Sequence, residues 1–253
     1  MSDSPKRNVV TIIQARMGST RLPGKVLLDI DGKPMLHRDL DRNLEAKTVD
    51  HVVIATTVDP KDDAIIESVN AYNDPRVSTY RGSENDVLDR YYQAAKQADA
   101  DIVLRITSDC PLVDPDIIDQ LVQMLLDDPS LDYSSNVLGQ LTYPRGLDVQ
   151  VCTFAAMEKM WNVAKEPDDR EHVTLYLRKH PEEFKTAQIQ SDIDLSNHRW
   201  TVDEQDDYTL VKEIYKRLAH TPHFRMKDIL ELFEKDPSLF GINQHVEQKL
   251  AQY

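Results

Sequence analysis

The twelve residues Gln14-Ala-Arg-Met-Gly-Ser-Thr-Arg-Leu-Pro-Gly-Lys25 hold three cations, two glycines and two hydroxyl side chains, with no acid among them. Glycine lets backbone N–H groups approach an anion closely, and Arg and Lys add charge-assisted bonds to phosphate oxygens. The whole chain has 30 Lys+Arg against 44 Asp+Glu, a net charge of −14, so this loop is a local reversal of sign. That balance excludes a surface built to coat a nucleic acid but leaves room for one small anion. A solvated basic surface loop is the competing reading. Two familiar phosphate patterns fail here: five residues separate Gly18 from Gly24 and Val26 follows Lys25, against the Walker spacing, and no G-x-G-x-x-G is present.

A second place for chemistry is Ser108-Asp109-Cys110-Pro111, which follows an apolar run and should project Asp109 from its end. Asp109 could instead cap the helix beginning at Pro115, although Asp114 is better placed to do so. Asp203 and Asp207 lie at the start of a late helical stretch, where acids also favour the helix dipole. Cys110 and Cys152 have neither metal-knuckle spacing nor a disulfide pattern and read as thiols in a reducing compartment. Nothing recognisable as a paired base makes Cys110 a nucleophile.

The elements that must carry these residues follow from periodicity. Apolar, β-branched runs at 8–13, 51–57 and 101–107 read as buried strands, with a shorter one at 76–80. Helical patterns cover 34–46, 61–71 and 84–98. After Pro115 apolar pairs recur every four residues. This alternation predicts an α/β fold, a Rossmann-like, mostly parallel sheet sandwiched by helices, with ligands at the carboxyl ends of its strands. The loops at 14–25, 56–62 and 108–114 are then the informative ones. Further on, strands are expected at 132–136, 148–152 and 186–190, and helices at 154–164, 170–179, 206–218 and 226–234.

With 253 residues, 40% hydrophobic and 29% charged, the chain is too apolar for disorder. No linker divides it. One domain over 1–253 is expected, with 131–151 as a dimerisation or acceptor-binding insertion and 221–253 as a C-terminal helical extension. No window approaches about 18 consecutive apolar residues, and the first residues lack the apolar stretch of a signal peptide. The chain reads as a cytoplasmic protein without membrane contact.

Six ordered blocks, IIQARMGSTRLPGKVL, RGSENDVLDRY, TSDCPLVDP, YPRGLDVQV, DREHVT and RWTVDEQDDY, resemble the sugar-acid cytidylyltransferases, and within them the branch of spore coat polysaccharide biosynthesis protein F. The resemblance covers most of the chain. It implies the nucleotide-diphospho-sugar transferase type of fold, CTP as one substrate, a small anionic acceptor as the other, Mg²⁺ as cofactor and a homodimer. It matches Asp109 and Asp203 to metal-binding aspartates. Arg16, Arg21, Lys25 and Asp109 become the catalytic set. Gln14, Ala15, Arg16, Met17, Gly18, Ser19, Lys25, Arg81, Ser83 and Thr107 become the nucleotide-binding set. Arg145 could bind an acceptor's carboxylate or phosphate, Glu171 a hydroxyl and His172 either, although a lone histidine can equally be structural. Asp86 and Arg90 could form an i,i+4 ion pair instead of meeting the base. Trp200 reads as core. Ser108 and Cys110 replace a Gly and an acid common in the octulosonate enzymes, which removes a second carboxylate next to Asp109. The acceptor could be a sugar acid, a phosphorylated alcohol or a phosphonate. A uridylyltransferase would open with a glycine-richer L-x-G-G-x-G-x-R loop, and a non-catalytic nucleotide-binding protein of the same fold is the remaining alternative.

Overall fold

The computed structural model describes residues 6–247. Strand β1 (Val9–Gln14) is followed by the basic loop, a 3₁₀ turn at Lys25–Leu27, and a small antiparallel hairpin of β2 (Asp29–Ile30) and β3 (Lys33–Pro34). Next come α1 (Met35–Glu45), β4 (His51–Thr57), α2 (Asp63–Tyr72), β5 (Val77–Gly82), α3 (Val87–Gln97), β6 (Ile102–Thr107) and α4 (Pro115–Asp127). The second half supplies β7 (Tyr133–Ser135), β8 (Gln150–Thr153), α5 (Phe154–Val163), α6 (Pro167–Glu171), α7 (Leu175–Lys179) and β9 (Thr186–Gln188). It ends with α8 (Gln205–Arg217), α9 (Met226–Lys235) and α10 (Phe240–Asn243).

The main sheet has the order β5-β4-β1-β6-β8-β7-β9. All its neighbours pair in parallel except β8, which runs against both β6 and β7. The strands are near-continuous apolar runs because helices cover both faces. On one face α1, α4, α8 and α9 pack on Val9, Ile13, Ile54, Leu104 and Ile106; on the other α3, α5 and α7 pack on Val10, Ile12, Val53 and Val103. Each fully buried Ile, Leu or Val contributes about 1.5–3 kcal/mol. Trp200 is fully buried, as its sequence context suggested.

Strand order reverses at β1. The chain moves outward to β4 and β5, then crosses back to β6 on the other side of β1. The loops leaving β1 and β6 therefore diverge at their carboxyl ends and open a crevice between them.

Two expectations change. The stretch 131–151 is not inserted outside the sheet: β7 and β8 at its two ends are strands of the main sheet, and Leu147, Val149 and Val151 are fully buried. The single helix expected over 170–179 is two short ones. Val173 between them adopts φ +52°, a left-handed conformation that a β-branched residue rarely takes and that no helix accommodates. Of the predicted C-terminal extension, α9 and α10 pack their apolar faces on the sheet's first core, and residues 248–253 lie outside the described residues. No helix among the described residues is long and apolar enough to cross a membrane.

Candidate active site

A cleft of about 430 Å³ opens at the carboxyl ends of β1 and β6. It is lined by Gln14, Ala15, Arg16, Gly18, Ser19, Arg21 and Lys25 from the basic loop, and by Thr107, Ser108 and Asp109 from the end of β6. Asp203 comes in from the start of α8, and Glu171 and His172 from the break between α6 and α7. Residues nearly two hundred positions apart thus share one wall.

Backbone bonds bring Asp203 to Asp109. Val202 N–H donates to the Asp109 carbonyl at 2.8 Å, and the Thr201 hydroxyl to the same oxygen at 3.1 Å. Gly146 allows this approach: a Cβ there would stand 2.5 Å from the Thr201 nitrogen, and its φ of +101° also requires glycine. Asp207, fully buried, accepts from the Asp203 and Glu204 N–H groups at 3.0 Å each and holds Arg199 at 2.8 and 2.9 Å. Arg199 in turn reaches Asp203 at 3.3 Å. Asp207 is therefore a positioning group behind Asp203, consistent with its place in the first helical turn.

The Lys25 ammonium sits between the two aspartates, 3.3 Å from Asp109 and 2.9 Å from Asp203, and donates to the Val202 carbonyl at 2.7 Å. Burial alone would lower its pKa, but the two carboxylates reverse this and hold it above the ordinary lysine value. Burial likewise disfavours ionised Asp203, yet Lys25, Arg21 and Arg199 keep its carboxyl below the usual range. Arg21 bridges Asp203 at 3.1 Å and Glu204 at 3.6 Å, and Arg16 reaches Glu84 at 3.2 Å. Every cation of the loop is thus already engaged by an acid from elsewhere in the chain.

The donor set fits Mg²⁺. Asp109 and Asp203 both aim carboxylate oxygens at one cationic group, and Mg²⁺ sites commonly take one or two carboxylates and complete their coordination with substrate phosphates and water. Cys110, next to Asp109, is buried; burial pushes its thiol well up, so it offers no thiolate.

The loop is pinned as well as charged. Met17 N–H donates to Asp62 at 2.8 Å, and Gly24 and Ser19 N–H both return to the Met17 carbonyl. The Met17 side chain packs on the core, outside the cleft lining. Burial works against the Asp62 carboxylate, but the Met17 N–H and the Thr57 hydroxyl hold its pKa below the usual value.

The block RGSENDVLDR reaches the cleft through other residues than those expected. Arg81 and Ser83 lie outside the lining; Glu84, Asn85, Val87 and Arg90 are in it. The Arg81 guanidinium turns to the Thr57 and Asp59 carbonyls, both at 2.9 Å, and to Asp63, tying β5 to the loop before α2. The Ser83 hydroxyl accepts from Asp86 N–H at 3.0 Å. Asp86 does not pair with Arg90. It caps α3, accepting from Asp89 N–H, and is gripped bidentately by Arg170 at 2.6–3.1 Å, while Arg90 donates to the Ser83 carbonyl at 2.7 Å.

The acceptor candidates also separate. Glu171 and His172 face the cleft, but Arg145 lines a neighbouring cavity of about 350 Å³ with Tyr143, Asp148, Trp200 and Phe233. There it lies 3.7 Å from Asp148. Gln14, whose buried Oε1 has no partner, and Thr107 remain at the cleft's inner end.

Two ionisable groups near the site were missed by sequence reasoning. Arg105, on β6, lines the cleft; its signal was a lone cation inside the apolar run DIVLRIT. Asp39, on α1, is fully buried with neither carboxylate oxygen partnered. Burial first, and the nearby Asp109 second, push its pKa well up, with Lys25 only partly offsetting them. Its one sequence signal was an acid on the apolar side of a helix.

The family model for cytidylyltransferases matches residues 10–249. The chain is 32% identical over 237 residues to spore coat polysaccharide biosynthesis protein SpsF of Bacillus subtilis, covering 91% of this chain and 95% of that one. It is 40% identical over 124 residues to the 3-deoxy-manno-octulosonate cytidylyltransferase of Pelobacter propionicus, an alignment of 49% of this chain and 47% of that one. Among solved structures, a cytidylyltransferase from Leptospira borgpetersenii superposes with a TM-score of 0.87 at 33% identity, covering 98% of this chain and 99% of that one.

Proposed function

The chain belongs to the cytidylyltransferase family, and from that premise we propose that it transfers CMP from CTP to a small acidic acceptor, releasing pyrophosphate. The observation that carries this reading is the Asp109–Lys25–Asp203 constellation beside the loop bearing Arg16 and Arg21. An acceptor oxygen attacks the α-phosphorus in line. Gln14, Ala15, Gly18, Ser19 and Thr107 line the place where the nucleoside and its phosphates lie. Arg16, Arg21 and Lys25 exchange their carboxylate partners for phosphate oxygens as CTP enters, and then stabilise the charge that gathers on the departing pyrophosphate. Mg²⁺ held by Asp109 and Asp203 would neutralise the triphosphate when bound. Glu171 and His172 face the acceptor end. The resemblance supports a sugar acid as acceptor and a cytoplasmic homodimer as the working form.

Pyrophosphate release tests the reading. Purified protein with Mg²⁺ and CTP should release it in the presence of at least one member of a panel of sugar acids, phosphosugars and phosphonates, and more slowly with UTP, ATP or GTP. No release across the panel would overturn it.

A further inference from the structure

Arg105 differs from every other cation in the cleft. Arg16, Arg21 and Lys25 each meet a carboxylate, and Arg90 donates to a carbonyl. Among the described residues Arg105 makes no hydrogen bond, and no carboxylate oxygen lies within the 4.0 Å of an ion pair. Its Nε is buried and unpartnered. The side chain is half-buried, and a guanidinium that meets no acceptor keeps its fork of N–H donors available to a ligand entering the cleft. Asp148, the acid whose charge acts on Arg105, is committed to Arg145 at 3.7 Å, and burial pushes its own pKa up.

The position of Arg105 says which part of a ligand it meets. It pairs in register with Ile12 of β1 and Gln150 of β8, two residues before Thr107. It therefore lies deeper than the basic loop and one strand nearer the second half of the chain, on the side from which Glu171 and His172 approach. The Thr174 hydroxyl, two residues beyond His172, bonds to Gln150 itself. The loop's cations are engaged nearer the cleft's mouth, Arg21 and Lys25 on Asp109 and Asp203 beyond the end of β6 and Arg16 on Glu84.

We propose that Arg105 is the residue that receives the anionic group of the acceptor, a carboxylate or a phosphoryl group held by its planar fork, and so selects acidic acceptors. The proposal rests on the transferase reading above for the identity of the ligand. It moves the acceptor's counter-charge from Arg145, which serves the neighbouring cavity, to a strand residue in the cleft floor. Bidentate recognition of a carboxylate or phosphate is what a guanidinium supplies and an ammonium does not.

The test holds the nucleotide site filled with α,β-methylene CTP and Mg²⁺ and titrates three probes by calorimetry: 3-deoxy-manno-octulosonate, a hexose 6-phosphate and an alkylphosphonate. At least one should bind the wild type, and the probe that binds tells whether the group is a carboxylate or a phosphoryl. Arg105→Met should weaken that probe about tenfold or more, and Arg105→Lys less, since a charge-assisted hydrogen bond is lost in full only in the first. Affinity for the CTP analogue should be unchanged in both, which also shows that the variants fold. The proposal is overturned by undiminished probe binding in Arg105→Met, by an equal loss of CTP-analogue affinity, or by no probe binding to the wild type. Pyrophosphate release is measured in parallel. A protein that binds a probe through Arg105 yet releases none overturns the transferase reading and leaves the anion site standing.

Discussion

Arg105 and Asp39 lie on opposite faces of the central sheet, and among the described residues neither forms a salt bridge. Arg105 alternates with Leu104 and Ile106 along β6 and opens into the cleft; Asp39 is sealed beneath α1 with no exposed surface. A buried carboxyl can shed its cost by keeping its proton, and Asp39 is pushed in that direction. A guanidinium has no neutral form to retreat to. The same lack of a salt bridge therefore pushes one group toward its neutral form inside the core and leaves the other charged and open to an anion. Between them sit the charges that do have partners, Lys25, Arg21, Asp109 and Asp203. Accessibility and the chemistry of the group, rather than charge alone, decide which kind each residue is.

If the partnered charges of the cleft serve the substrate rather than the fold, Asp109→Asn should lower pyrophosphate release by about a thousandfold or more while thermal stability is kept. Retained turnover would remove Asp109 from the metal and phosphate machinery. The opposite split is expected of a partnered cation outside the cleft. Arg81→Met loses bonds to two carbonyls and to Asp63, so stability should fall by about 1–3 kcal/mol in denaturant unfolding with the KM for CTP unchanged. A raised KM with unchanged stability would return Arg81 to the nucleotide site.

The smallest effect is expected at Asp39. Its pKa is raised in the folded state, so above the ordinary carboxyl value the unfolded chain ionises freely while the folded chain keeps the proton. The resulting loss of stability grows as pH rises through that window and levels off above the folded pKa. Asp39→Asn removes this slope. Its Tm gain over the wild type should be smallest near the ordinary carboxyl pKa and grow as pH rises above it. A gain that does not vary with pH would place the cost of Asp39 elsewhere than in its ionisation.

The blocks that form the site were legible because each sits where a strand ends. Gln14 to Lys25 and Ser108 to Asp114 follow apolar runs whose parallel pairing was readable from their β-branched composition. Within blocks, the direction of individual side chains was not legible. Arg81 and Ser83 belong to the right segment, but strand pleat and a turn before α3 face them away, and Glu84 and Asn85 take the cleft. The break at Val173 was hidden too, since 170–179 carries an unbroken helical pattern and only the left-handed φ of a β-branched residue interrupts it.

By itself the amino-acid sequence determined the alternation of strands and helices, the basic loop without acids and the two aspartates, because these depend on local period and composition. Tertiary structure alone decided which charges meet. Lys25 stands between Asp109 and Asp203 because Val202 bonds to the Asp109 backbone and Gly146 leaves room for that approach. Among the described residues Arg105 forms no salt bridge for the same kind of reason: electrostatic pairing acts over a few ångströms in space and is indifferent to separation along the chain.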